Sequence, residues 1–546
     1  MLNPTRRPRM HPRLIVEHAG EATAWTLTSQ EATSNLADLL ARRELPLNTR
    51  CGGRGLCRGC EIQLTAGTLL DAAGQPHTAP ATVKACQHRL QADEAAINVP
   101  ARSHLRHAPA VVSEFQLGVP WCLDPLTPAR YGAAVDVGTT TVALLLCDLF
   151  SGQVLAEASA FNAQVRFGED VVTRIQLCSS ESGAVTCLQQ AVAAETVQPL
   201  LERAAREARI DLAEVGAMTV AGNTTMQHLL AGVDPTPMGT HPFRPVFLEH
   251  RIFAPGQLGL RFGGAEATVH LLPSPAAYVG ADLAAGLVAT GMVYDREPSV
   301  LIDVGTNGEI LASAGGRLIG CATAAGPAFE GAGLSSGTRA VHGAIERVAI
   351  ANDPFSIRTQ IIGHASHPTG VCGSAYIDLL WEGRRAGLLL PSGRFDPTFV
   401  AAHAEHFELS QYGQRLKLHP HGHGSVFFSE PDVASLLQAK AAIAAGVQTL
   451  LGILGLRAAN VKTVYLAGGF GRHLSPEHAI GCGLLPGFSP KQIKVVGNTS
   501  LGGAFLALQD RSLLEVMSAA AHRHETIELN LQPGFEDAYI DHLSLP

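Results

Sequence analysis

Residues Asp136–Thr141 read DVGTTT, and residues Asp303–Ile310 read DVGTNGEI. Each run follows a short apolar strand, Tyr131–Val135 in one case and Val300–Ile302 in the other. Each leads into a hairpin, turning at Ser151–Gly152 and at Gly315–Gly316. One such run reads equally well as an ordinary hairpin turn, but the order strand, Asp-Val-Gly-Thr, strand, turn, strand occurs twice, which points to a duplicated lobe. The chemistry the runs suit is phosphate binding. A glycine in a strand-to-strand turn lets the backbone approach phosphate oxygens, and N–H groups and threonine hydroxyls donate to them. The aspartate at the end of each strand can hold Mg²⁺, directly or through water, or orient an attacking water.

A third piece follows at Val464–Leu466, a short strand running into AGGFGRHL, Ala467–Leu474. A glycine run between strand and helix accommodates an adenine face or its ribose. Alone, Gly468–Gly469 reads as a structural turn; it gains meaning by following the two loops in order. The stretch GAGLSSG, Gly331–Gly337, has the wrong spacing for a dinucleotide fingerprint.

Upstream, Cys51, Cys57 and Cys60 lie in RCGGRGLCRGCEIQL, and Cys86 follows in VKACQHRL. The spacing C-x5-C-x2-C with a distant fourth cysteine suits a 2Fe–2S cluster, which takes three thiolates from one tight loop and one from elsewhere. Gly52, Gly53, Gly55 and Gly59 let that loop wrap closely and aim N–H groups at sulfur. Plant-type ferredoxins space the first two cysteines one residue closer, and the longer gap resembles the adrenodoxin kind. Structural zinc is the alternative for four thiolates, although only one short CxxC knuckle is present. Around the cysteines, Leu14–Val16 and Thr23–Thr28 read as strands joined at Ala19–Gly20. Asn35–Glu44 reads as an amphipathic helix capped by Ser34 or Asn35, and Glu61–Thr65 and Ala96–Val99 read as further strands. This pattern resembles the β-grasp ferredoxin fold.

Composition narrows the function classes. Across 546 residues, 46% hydrophobic and 16% charged, large cores are expected. A net charge of −8 and only 5% aromatics argue against a nucleic-acid or anionic-membrane binder. The basic start, MLNPTRRPRMHPR, lacks the apolar core of a secretory signal, and Ala441–Leu456 is too short for a membrane span. The other seven of the eleven cysteines are scattered, which suits a reducing cytoplasm. Residues 101–130, rich in proline and without clear periodicity, read as a linker. Val185–Arg209 and Asp432–Leu456 read as long helices packing the lobes.

The order phosphate loop, phosphate loop, adenosine loop resembles the superfamily of acetate and sugar kinases, heat-shock ATPases and actin. Within it, AGNTTMQHLL (Ala221–Leu230), AGPAFEGAGLSSG (Ala325–Gly337), GVCGSAYIDLL (Gly370–Leu380) and GNTSLGGA (Gly497–Ala504) resemble the ATP-dependent reductive activators of corrinoid proteins. Members of that family carry an N-terminal 2Fe–2S domain on an ATPase body. The resemblance implies an α+β chain: a β-grasp 2Fe–2S ferredoxin-like domain over 12–100, a linker over 101–130, and duplicated actin-like ATPase lobes of ribonuclease H type over 131–298 and 299–546.

The implied site has three parts. Asp136, Asp303 and Glu309 are the catalytic carboxylates. Gly138, Thr139, Thr140, Thr141, Gly305, Thr306, Asn307, Gly308, Gly326, Gly468, Gly469 and Phe470 bind the nucleotide. Cys51, Cys57, Cys60 and Cys86 hold one 2Fe–2S cluster. ATP and Mg²⁺ are the other implied cofactors, and the electron acceptor is a corrinoid-binding protein. With no flavin or NAD fingerprint, the donor is a separate ferredoxin or reductase; no nucleic acid or membrane is implied. The last cysteine, Cys482, leaves no C-terminal 4Fe–4S cassette of the kind some activators carry. Two rival readings stay open: a redox-sensing small-molecule kinase, and an ATP-coupled electron donor to another low-potential enzyme. The oligomeric state, a homodimer included, is not written in the sequence.

Overall fold

Alternation along Arg13–His18 buries Leu14 and Val16 and exposes Arg13 and Glu17, so one face of this strand seeds a core. A computed structural model describes residues 12–18, 21–47, 55, 60–90, 94–100, 103, 115–305, 307–331, 333–338, 340–364, 367–410, 413–419, 426–468 and 474–546. The chain forms two units, one of residues 1–107 with 165–169, the other of 108–164 with 170–546.

In the first unit, Arg13–His18 pairs antiparallel with Glu21–Thr26 and parallel with Glu94–Val99. Glu61–Ala66 and Ala81–Lys84 complete a five-stranded sheet. The helix Leu36–Arg42 lays Leu36, Leu39 and Leu40 on its buried face, where they join Leu14, Ile62, Leu64 and Ile97. Asn35 starts that helix, its side chain accepting from Ala37 N and Asp38 N. The expected strand Thr23–Thr28 stops at Thr26, because Thr28 caps an extra short helix, Ser29–Thr33, through a capping box with Glu31. A mixed sheet gripping one helix is the β-grasp arrangement.

The second unit repeats one topology. Tyr131–Val137 pairs antiparallel with Thr141–Asp148 and parallel with Val215–Gly222. Ser299–Val304 likewise pairs antiparallel with Gly308–Ala314 and parallel with Thr463–Ala467. A third hairpin strand extends each sheet, Gln153–Phe161 in one and Arg317–Thr323 in the other, and each sheet has six strands. The duplication read from the two Asp-Val-Gly-Thr runs is therefore a duplication of lobes.

Helix positions follow from small residues. In Glu430–Ile453, Gly446 lies against Thr323 and Ile310, where a Cβ would come within 2.8 and 2.9 Å. This helix is long and apolar enough to cross a membrane, yet most of its apolar stretch is buried in the second lobe's core. Thr499–Gln509 is buried at every residue. It packs on Ala281–Ala289 so closely that a Cβ at Gly503 would sit 2.3 Å from the Ala285 carbonyl. Thr219 Oγ1 in the first sheet donates to Ala504 O at 2.7 Å. The chain thus returns to the first sheet in the helix that starts at Thr499. The long helix expected over Val185–Arg209 is interrupted by a wider π turn at Ala193–Val197.

The segment 115–130, read from its prolines as linker, is a strap on the second unit. Gly118 N donates to Ala289 O and Asp124 N to Gln509 O. Phe115, Leu117, Trp121 and Leu126 pack on the first lobe's core, with Trp121 edge-on to Phe505. Proline excludes regular structure without excluding burial, so apolar spacing was the better guide.

Candidate nucleotide and cysteine sites

Asp136 and Asp303 are each the penultimate residue of a central strand. In the first lobe Val137 pairs with Val142, enclosing Gly138–Thr141 in the turn; in the second Val304 pairs with Gly308, enclosing only residues 305–307. The second turn is one residue shorter. As a result Asp303 faces Glu309 across the strands, whereas Asp136 faces Ala143.

The first loop is held by its carbonyls. Asn162 Nδ2 donates to Gly138 O and Asn162 N to Thr140 O, both at 2.9 Å. The fully buried Arg174 donates through Nη2 to Thr139 O. These bonds fix three of the loop's carbonyls, and the buried guanidinium adds positive field beside it. Asn223 Nδ2 donates to Thr139 Oγ1 at 2.9 Å, while its Oδ1 caps the helix Thr224–Leu230. A Cβ at Gly138 would lie 2.6 Å from Thr141 O, so the turn is closed by a glycine that no larger residue can replace in place.

In the second loop Gly305 N donates to Asn307 O at 3.0 Å, and Thr323 Oγ1 donates to Gly308 O at 2.9 Å. Gly468 comes close against it: at φ +106° its Cβ would sit 2.3 Å from Val304 O and 2.9 Å from Asp303 Oδ1. Gly326, with φ +68°, has open space where a Cβ would stand. Thr306, Gly469 and Phe470 lie outside the described residues.

The carboxylates set the electrostatics. Asp136 accepts from Asn498 Nδ2 at 2.9 Å and Ser500 Oγ at 2.7 Å, and burial still raises its pKa. Burial, then Asp282, Asp136 and Glu330, push Asp303 up to about 8. Burial first, then Asp282 and Asp303, raise Glu309 well above the carboxylate range, against a hydrogen bond from Asn307. Asp282, at the start of Ala281–Ala289, is pushed up to about 7 by burial and by Asp136. These groups cannot all ionise without a cation among them. Among the described residues no three of His, Cys, Asp and Glu converge to hold a metal unaided. A nucleotide-bound Mg²⁺ does not need three, because phosphates and water fill most of its shell.

Sequence patterns missed Asn162, Arg174, Asn498, Ser500, Asp282 and Glu330 as site residues. Asn498 and Ser500 lie in GNTSLGGA, which marked a family without marking a role. Asp282 follows a glycine at a helix start, a signal shared by many structural helices.

In the first unit Cys60 and Cys86 are buried with their sulfurs within hydrogen-bonding reach of each other. That contact with Cys60 does most to draw the Cys86 thiol down to about 6, against burial; Gln87, the Gly55 N–H and Lys84 add to it. Gln87 Nε2 points at Cys86 Sγ from 3.7 Å, the Lys84 ammonium holds Gly55 O, and the Asn35 amide holds Cys86 O. Cys51 and Cys57 lie outside the described residues.

Comparison with known proteins bears on both sites. Residues 131–295 match the family described as the RACo middle region, and 297–546 match the C-terminal domain of RACo, the ASKHA domain. The chain is 28% identical over 578 aligned positions to the corrinoid activation enzyme RamQ of Eubacterium limosum, covering 94% of this chain and 96% of the relative. It is 26% identical to the Co(II) methylated amine-specific corrinoid protein reductase of Methanosarcina barkeri, over 70% of this chain and 71% of that one. A solved structure described as a reductive activator for corrinoid, iron-sulfur protein superposes with a TM-score of 0.72 at 28% identity, covering 98% of both chains.

Proposed function

From the premise that over residues 131–546, most of its length, the chain belongs to the RACo family, we propose that it is an ATP-dependent reductive activator that returns a corrinoid protein from Co(II) to Co(I) for a methyltransferase system. The observation that carries this reading is the pair of Asp-Val-Gly-Thr turns at equivalent places in two duplicated lobes, in a chain similar to corrinoid activators over nearly its whole length.

The first unit fits a cluster. Cys60 and Cys86 bring two thiols together in a buried, hydrogen-bonded setting that favours thiolate, and Cys51 and Cys57 complete the set of four. A 2Fe–2S cluster there supplies one-electron transfer. Asn35, Lys84 and Gln87 hold the ligand-bearing backbone and donate toward sulfur, which sets the potential. A separate ferredoxin or reductase delivers the electron.

The second unit fits Mg-ATP. Gly138, Thr139, Thr140, Thr141, Gly305, Thr306, Asn307 and Gly308 would meet the phosphates, Gly326, Gly468, Gly469 and Phe470 would meet the nucleoside, and Asp136 and Asp303 would hold Mg²⁺, directly or through water. The fusion has a thermodynamic reason. Plant-type 2Fe–2S centres sit near about −400 mV, and reduction of Co(II) at a lower potential runs uphill by a factor of ten for every ~59 mV. Binding and hydrolysis of ATP, by opening and closing a two-lobed body, change the surface offered to the corrinoid protein and offset that factor. The scattered cysteines support a cytoplasmic setting for both steps.

The test is anaerobic. Reduced holoprotein is mixed with a Co(II) corrinoid protein, Mg-ATP is added, and the Co(I) absorbance band is followed against a control without ATP. Co(I) that forms only with ATP supports the reading. ATP consumption with no cobalt change across several corrinoid partners removes it and brings the kinase reading forward.

A further inference from the structure

Among the carboxylates of the nucleotide site, Asp136 and Glu309 are already committed. Both Asp136 oxygens accept from neutral side chains, Oδ2 from Asn498 and Oδ1 from Ser500. Glu309 is buried on the strand behind the second loop and takes a hydrogen bond from Asn307. Asp303 lies under the adenosine loop, its Oδ1 close against Gly468. Asp282 differs from all three. It projects from the first turn of Ala281–Ala289 and accepts from backbone N–H groups, its own and that of Leu283 at 2.8 Å.

We propose that Asp282 is the catalytic carboxylate that orients and deprotonates the water attacking the γ-phosphate of ATP. The assignment rests on the nucleotide-site reading above and deepens it. Position supports it first. Asp282 Oδ1 lies over Gly280, where a Cβ would come within 2.7 Å of it, and the same Cβ would meet Asn223 Cα at 2.5 Å and Thr224 N at 2.9 Å. Asn223 in turn donates to Thr139 Oγ1 in the first phosphate loop. Glycine at 280 therefore lets the helix start, and with it the carboxylate, close onto the residue that holds that loop. Orientation is the second support: the backbone N–H bonds fix the carboxylate without a cationic partner, which would weaken it as a base. Third, Asp282 lies within electrostatic reach of Asp136, Asp303 and Glu309, the carboxylates of the two loops.

The step balances without any further reagent. The water oxygen bonds to the γ-phosphorus as the bond from that phosphorus to the β–γ bridging oxygen breaks. The bridging oxygen leaves on ADP with the electron pair, and the water proton passes to Asp282, which returns it to solvent.

The test compares wild-type holoprotein with Asp282→Asn and Asp282→Glu. Turnover of Mg-ATP is measured alongside the affinity for a fluorescent ATP analogue and the identity of the nucleotide that co-purifies after incubation with ATP. The expected result for Asp282→Asn is a kcat lowered about 100-fold or more, analogue affinity within about threefold of wild type, and ATP rather than ADP recovered from the protein; Asp282→Glu recovers part of the rate. A kcat within twofold of wild type overturns the assignment. So does equal loss of affinity and turnover in both variants, which would make Asp282 a binding group. Wild-type protein that binds no ATP analogue overturns the nucleotide-site reading itself and the assignment with it.

Discussion

Asp136 and Asn498 are separated by 362 positions in the chain and by 2.9 Å in the fold, where Asn498 Nδ2 donates to Asp136 Oδ2. Ser500 Oγ holds the other oxygen. Because Asn498 also caps Thr499–Gln509 by accepting from Leu501 N, one side chain joins the strand Tyr131–Val137 to the helix that returns to the first sheet. A hydrogen bond to a charged group is worth roughly 1.5–3 kcal/mol. Asn498→Ala should therefore weaken Mg-ATP binding by about tenfold or more, read by calorimetric titration. Asn498→Asp, which keeps the cap and places a like charge beside Asp136, should be worse; an affinity equal to wild type would show that the contact does not position the aspartate.

The one-residue difference between the two turns places Asp303 directly opposite Glu309. Two buried carboxyls face to face cannot both ionise, and burial raises both, Asp303 to about 8, so at neutral pH folding must take up protons that the unfolded chain does not bind. Glu309→Gln should raise the melting temperature of nucleotide-free protein and lower the rate of Mg-ATP hydrolysis. Scanning calorimetry with and without Mg-ATP separates the effects. A fall in melting temperature for the nucleotide-free variant would mean that the pair is not under strain.

Much of this arrangement was legible in the sequence, for physical reasons. A glycine that must let two backbones approach leaves a local mark, and the two Asp-Val-Gly-Thr runs and Gly468 carry it. Apolar alternation marked Glu61–Thr65 and Ala96–Val99 in the same way. The contacts that complete the site are long-range: Asn498 to Asp136, Asn223 to Thr139, Arg174 to the Thr139 carbonyl. Each uses an ordinary polar residue whose partner lies far along the chain, so no local pattern announces it. Within the 101–130 segment, proline density hides the spacing of Phe115, Leu117, Trp121 and Leu126, which pack on the first lobe's core.

Gln87 Nε2 and the Gly55 N–H both point at Cys86 Sγ. Donors to a cluster thiolate stabilise the reduced, more negative state and raise its potential. Gln87→Leu should leave the visible spectrum of the reconstituted 2Fe–2S protein intact and shift its midpoint potential to a more negative value. Cys86→Ser should remove or alter that spectrum. An EPR-monitored redox titration checks the first, and an unchanged midpoint would exclude Gln87 as a tuning group.

Acid should destabilise the second unit below pH 6.5 through buried histidines. His270 stacks on His250 with Nδ1 3.1 Å from His250 Nε2, and burial, then His250, pull its pKa down to about 4. Burial likewise draws His524 down to about 4, against Glu525. Each folded-state value lies below the 6.5 of the free side chain, so the unfolded chain binds more protons between those limits. The stability these groups contribute is present above pH 6.5 and is lost as pH falls toward 4. Urea titrations across that window should show a declining midpoint, and the decline should be shallower in His524→Gln; equal slopes would exclude this histidine.

The strap makes the firmest claim about where the ATPase body begins. Leu126 N donates to Leu508 O, Cys122 N to the Asp510 carboxylate, and Arg511 Nε lies 3.0 Å from Asp124 Oδ2. Phe115 rests on Phe505 at 5.9 Å between centroids, and Trp121 meets the same ring at 5.5 Å. Removing these rings exposes the apolar surface of Thr499–Gln509, and losing even one large aromatic contact costs about 3 kcal/mol when it is well buried. Protein begun at residue 131 should therefore melt several degrees below protein begun at residue 112, and bind more of a hydrophobic dye. Trp121→Ala in the longer form should reproduce part of the loss. Equal melting temperatures for the two forms would return the segment to the status of a tether.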